Sequence, residues 1–163
     1  MTLDPILTAP LLIQVHVVTA IVAATLGPFV LYRRRDRIHK ALGYVWITAM
    51  AGVALSGLGL PAQVLHFYFG FGPIHILCLF VLWGLFDGLR AILRRELLRH
   101  SETMRGLYWN AITIAGLFTF LPGRRMNQMV FPEAEWLGWC IIGAGAAGLA
   151  LRQWHVRGRI QTA

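Results

Sequence analysis

Four of the chain's six histidines have a type and spacing that could do chemistry. His16 lies near the start of a long apolar stretch, and His39 opens the next one. His75 and His100 repeat that arrangement, and His100 follows His75 at nearly the interval that separates His39 from His16. On consecutive membrane-crossing helices the four would alternate in depth. His16 and His75 would share an outer level, and His39 and His100 an inner one. Two imidazoles at one depth on facing helices are the axial ligands of a b-type haem, whose ring lies between helices in an apolar slot. Two such levels, about 20–30 Å apart along helices that rise 1.5 Å per residue, would carry electrons across a membrane. Gly27, Gly52, Gly57, Gly84 and Gly116 leave room either for such a ring or for close helix packing.

Each of these residues also has a plainer reading. His16 and His75 fall inside the hydrocarbon region, where polar groups mark a ligand or pathway. His39 and His100 stand among arginines, where a structural or lipid-facing role competes with iron ligation. Zinc suits the outer pair less well than haem, because no Cys or carboxylate joins it at ligand spacing. Arg124 and Arg125 follow the helix-stopping Pro122-Gly123. They could hold a haem propionate, a quinone-like headgroup or an anionic lipid, or simply anchor the turn. Asp87 and Arg90 are spaced to pair on one helix face. Cys78 and Cys140 lie in apolar runs and read as small packing residues. No nucleophile or paired carboxylate marks a catalytic residue, so whether the chain is an enzyme is left open.

The elements that must position these side chains follow from composition. The chain is 57% hydrophobic and 13% charged, against about 25% charged in soluble domains. No Asp, Glu, Lys or Arg occurs from Pro5 to Tyr32 or from Ala41 to Phe86. A bilayer-spanning helix needs about 20 such residues. The second run therefore holds two spans, broken by Pro and Gly between Leu60 and Pro73. We expect an all-α integral membrane protein with spans at 11–32, 38–60, 73–93, 104–121 and 136–151. These would form a four-helix core plus a fifth helix in a single transmembrane domain, residues 1–163. No basic residue precedes Arg33, and Asp4 sits where a signal peptide would be basic, so a cleavable signal is not expected.

Of the 15 Lys and Arg residues, all but Arg124 and Arg125 fall on one side of those spans. The positive-inside rule then places the N-terminus outside and the C-terminus in the cytoplasm. This distribution explains the net charge of +8 through anionic headgroups, not nucleic acid. The aromatic run His66–Phe71 reads as an interfacial belt or as an entry point for a lipid-soluble ligand. The glycines of 143–148 match a dinucleotide-binding pattern, but they fall inside a span and read as a helix-docking surface. The preference for Arg over Lys points to a GC-rich bacterial gene and hence the bacterial inner membrane. The two halves also echo each other. Arg33–His39 followed by Gly43-Tyr44-Val45-Trp46 is answered by Arg94–His100 followed by Gly106-Leu107-Tyr108-Trp109, as a duplicated hairpin would produce.

Several of these segments carry a resemblance. They are His39-Lys40-Ala41-Leu42-Gly43-Tyr44-Val45-Trp46, the span-one histidine, Pro73-Ile74-His75, His100-Ser101-Glu102-Thr103-Met104 and the stretch 118–126. Over about residues 11–130 the chain resembles the bacterial membrane proteins catalogued as domain of unknown function 2306. Lys40 stands where that family has an arginine, and Ser101 and Glu102 stand where it tends to have arginines. The resemblance implies the helical membrane fold and no particular activity. The arrangement of one histidine per helix is also similar to di-haem transmembrane cytochromes that take electrons from ascorbate or quinol, an analogy of architecture only. Two functions stand at this point. One is a b-haem electron-transfer protein, linked to quinone. The other is a non-catalytic accessory or assembly subunit of a larger respiratory or photosynthetic complex. A transporter or channel has little support from a single intramembrane ion pair.

Overall fold

A computed structural model describes residues 4–61, 71–131 and 133–161. The elements among these residues are helices. A short α1 (Asp4–Leu7) precedes α2 (Leu11–Tyr32), α3 (Arg37–Leu58), α4 (Pro73–Leu93) and α5 (Leu97–Gly106). A π-helical segment follows over Leu107–Ile112, then α6 (Thr113–Thr119), α7 (Arg125–Val130) and α8 (Leu137–Gln161). Residues Ile6–Ile112 form one compact unit. Thr113 onward, with Asp4 and Pro5, forms another.

Helices α2, α3 and α4 are long and apolar enough to cross a membrane. Their bounds match the first three expected spans closely, because Pro, Gly and charge end each run. The expected fourth span, 104–121, is helical as far as Thr119, but it is divided among α5, the π segment and α6. The expected fifth span corresponds to the apolar part of α8, Leu137–Leu151. Val18, Ile21, Phe29, Leu55, Leu79, Trp83 and Phe86 are all exposed on the three long helices. Water would penalise so much bare apolar surface, whereas lipid tails accept it.

The ends of these helices follow from local chemistry. Asp36 caps α3 by accepting the His39 backbone N–H at 2.7 Å. Pro73 occupies the first turn of α4, where its missing N–H costs nothing. Arg95 closes α4 in the left-handed region, at φ 62°. There the N–H groups of Arg95 and Glu96 return to the carbonyls of Ile92 and Ala91 at 3.0 and 2.9 Å. That pattern is a Schellman motif, whose left-handed position normally takes glycine.

In the first unit α2 packs on α3, α3 on α4, and α4 on α5. Trp46, Met50, Val81, Leu85, Leu107 and Tyr108 are central to its core. Pro28 lies inside α2. It has no N–H to give the carbonyl of Ala24, four residues back. The Tyr108 hydroxyl donates to that carbonyl instead, at 2.9 Å. The neighbouring carbonyl of Ala23 accepts from the Trp46 indole at 3.0 Å. Gly27 makes this possible, since a Cβ there would collide with the Tyr108 ring. Gly52 faces Thr19, Gly57 faces Cys78 and His16, and Gly84 faces Leu107. These four glycines therefore serve close packing, while Gly116 faces open space.

In the second unit Asn127 is fully buried. Its amide nitrogen donates to the carbonyls of Phe120 and Glu135 at 2.6 and 2.9 Å. The Glu135 carboxylate accepts the Gly123 N–H at 2.8 Å. Gly138 is small enough to let Asn127 and Phe120 approach. Of the small residues at 143–148, Gly145 lies against Leu117, while Gly143 and Gly148 face open space.

Candidate functional site

The inner histidines converge. His39 on α3 and His100 on α5 line one cavity of about 50 Å³, together with Ser101 and Met104. Each ring is anchored in the same way. His39 Nδ1 donates to the carbonyl of Val30 on α2 at 3.1 Å. His100 Nδ1 donates to the carbonyl of Gly88 on α4 at 2.8 Å. A carbonyl can only accept, so both rings carry hydrogen on Nδ1, and in the neutral imidazole that leaves the lone pair on Nε2. Among the described residues neither Nε2 has a hydrogen-bond partner. An imidazole with Nδ1–H on a backbone carbonyl and Nε2 open is in the arrangement that metal-bound histidines adopt.

Ion pairs brace both anchors. Arg33 meets Asp36 at 2.9 Å, beside His39. Arg99 meets Asp87 at 2.6 Å, beside His100 and Gly88. Asp87 thus pairs across the turn with Arg99, and not with Arg90 on its own helix as spacing suggested. The fold brings Arg99 back over the end of α4, a proximity that spacing along one helix does not contain. The hydrogen bond from Arg33 is the main reason why the Asp36 carboxyl is held down at about 2, and the His39 N–H adds to it. Arg35 also reaches the Leu97 carbonyl at 3.5 Å. The α2–α3 and α4–α5 turns, which carry Arg33, Arg34, Arg35, Arg94 and Arg95, therefore lie at one end of the unit.

The outer histidines are engaged differently, and both hold the far end of α3. The Ser56 hydroxyl gives its hydrogen to Gly52, so His16 Nδ1 donates to Ser56 Oγ, at 2.9 Å. His75 is 3% exposed. Its Nδ1 accepts the Gly72 N–H and its Nε2 donates to the Leu60 carbonyl, both at 3.1 Å. His75 so takes the place that Glu or Gln fills in a capping box and ties the start of α4 to the end of α3. With both nitrogens bonded to the backbone, it has no lone pair left for a metal in this arrangement. Among the described residues no three of His, Cys, Asp and Glu converge as a metal site. Residues 66–70 of the aromatic run, His66 included, lie outside the described residues; Phe71 packs its ring on His75, with centroids 4.6 Å apart. His155 falls in α8.

Arg124 precedes α7. Burial pushes its pKa below the ordinary guanidinium value. Its Nε and the Oδ1 of Asn127 are buried without a hydrogen-bond partner among the described residues. Sequence reasoning missed Asn127, Ser56 and Met104. An amide between two apolar spans was the available signal for the first. Met104, one helical turn beyond His100, was the signal for the third.

A family model described as "Predicted membrane protein (DUF2306)" matches residues 13–147, and the chain belongs to that family. No curated protein and no solved structure matches it.

Proposed function

We propose that this membrane protein crosses the bacterial inner membrane five times, with its N-terminus outside, and transfers electrons through a metal held by His39 and His100. The common cavity and the anchored Nδ1 atoms carry the reading. The b-type haem expected from the histidine pattern is the cofactor form of this site; when bound it would supply one-electron chemistry, with quinone as a candidate exchange partner. His39 and His100 would hold its iron, and Val30 and Gly88 would orient their rings. Ligand pockets commonly exceed about 300 Å³, so a macrocycle enters only if α3 and α5 part. The outer pair, His16 and His75, would join such a chain only if His75 released Leu60. Arg124 is kept as a candidate for a propionate, a quinone-like headgroup or a lipid phosphate.

The test is a reduced-minus-oxidised optical spectrum of the full chain, purified in mild detergent from haem-replete cells. Sharp bands that disappear in H39A and in H100A support the reading. A colourless, folded preparation overturns its haem form. The accessory-subunit reading has its own support in His75, whose bonds are wholly structural, and in glycines filled by neighbouring side chains. Co-purification with a larger respiratory or photosynthetic complex would support it, and a chain that always migrates alone would count against it.

A further inference from the structure

The cavity between His39 and His100 is small for an organic cofactor, but about 50 Å³ is ample for one ion, since a water needs only about 10–15 Å³. Met104 also lines the cavity and brings a thioether; it is 4% exposed, and its sulfur and methyl lie over Gly88 of α4, whose carbonyl holds His100. Met104 follows His100 by one helical turn, so both side chains lie on one face of α5. Gly43 follows His39 by the same interval on α3 and also lines the cavity. A Cβ at Gly43 would meet nothing within 4 Å, so that wall of the cavity borders open space. Val30 and Trp46 supply apolar walls, and no lining residue is a carboxylate or carries a fixed charge.

We propose that this cavity, as packed, binds one monovalent copper ion through Nε2 of His39, Nε2 of His100 and the thioether sulfur of Met104. The inference rests on the reading of His39 and His100 as a metal-holding pair and specifies what they hold. The thioether is a soft donor that favours Cu(I), and imidazole suits copper too, so the set discriminates against the oxygen-seeking ions. Charge argues the same way. A divalent ion would bring two uncompensated charges into a carboxylate-free pocket, and burying unpaired charge is costly. A single charge is the smaller burden, particularly beside the arginines of the two adjoining turns. Structural zinc would call for a fourth ligand, usually Cys or His, which the lining does not offer.

The test is an anaerobic, reducing titration of the detergent-purified full chain with Cu(I) in competition with a chromophoric Cu(I) chelator, alongside Zn(II). One copper per chain is expected, with Zn(II) binding more weakly. H39A and H100A should each lose more than about 100-fold in affinity, since even groups behind a ligand are worth 10–100-fold. M104L keeps the volume and should lose about tenfold or more. G43L leaves all three donors in place, fills the open wall and should block binding. Thermal melts of M104L and G43L confirm that both are folded. Copper binding unchanged in M104L overturns the proposed ligand set, and so does tighter Zn(II) binding. A haem spectrum lost in H39A overturns the copper proposal and leaves the paired-imidazole reading standing. Copper binding indifferent to H39A and H100A overturns both.

Discussion

Replacing Tyr108 by Phe tests the coupling between the Pro28 break and the π-helical segment. The Ala24 carbonyl lacks its helical donor because residue 28 is proline, and the Tyr108 hydroxyl supplies one at 2.9 Å. A buried carbonyl left unpaired costs about 1–3 kcal/mol. Interhelical hydrogen bonds measured in membrane proteins average about 0.6 kcal/mol and reach about 1.7. Because Pro28 removes the only helical alternative, Y108F should fall at the upper end, about 1–2 kcal/mol. In P28A, residue 28 again offers an N–H to the same carbonyl. The hydroxyl then becomes redundant, and Y108F in that background should cost less than about 0.5 kcal/mol. The coupling energy of the cycle should therefore be about 1 kcal/mol. The assay is denaturant unfolding of the four proteins in one mild detergent. Equal costs of Y108F in both backgrounds would show that Tyr108 does not serve the carbonyl exposed by Pro28, and would refute the reasoning.

Other outcomes follow from single sites. R95G should stabilise the chain by about 1 kcal/mol in the same assay, because a left-handed φ costs an L-residue about 1–2 kcal/mol and Arg95 adopts one. The Asp36 carboxyl, held at about 2 against an ordinary 3.8, has its folded-state pKa below its unfolded one. Its contribution is full above the ordinary value and fades as pH falls through the folded one. D36N should accordingly flatten the loss of stability between pH 4 and 2, read by thermal melts across that range. N127A should cost about 1–3 kcal/mol by leaving the Phe120 and Glu135 carbonyls without their donor, and melting temperature is the readout.

Membership of the helical membrane class was legible in the residues themselves. Uncharged runs of bilayer length need no tertiary information, and neither do the Pro, Gly and Asp residues that end them, so α2, α3 and α4 fall where composition put them. The arginine-rich turns were legible too, and so was the echo that pairs His39 with His100. The residues alone could not say what each ring nitrogen touches. His75 and His100 look alike in sequence. One has both nitrogens on the backbone, and the other has only Nδ1 so bonded and lines a cavity shared with His39. That difference arises because Leu60 and Gly72 close on His75 from two sides, while Gly88 meets His100 from one. The partner of Asp87 and the filling of Gly27 by Tyr108 likewise depend on which helix returns beside which. Local pattern fixes where a helix runs. The choice among a metal ligand, a cap and a packing residue belongs to the neighbours that the fold supplies, because a hydrogen bond needs its partner within about 3 Å and the sequence does not measure distance.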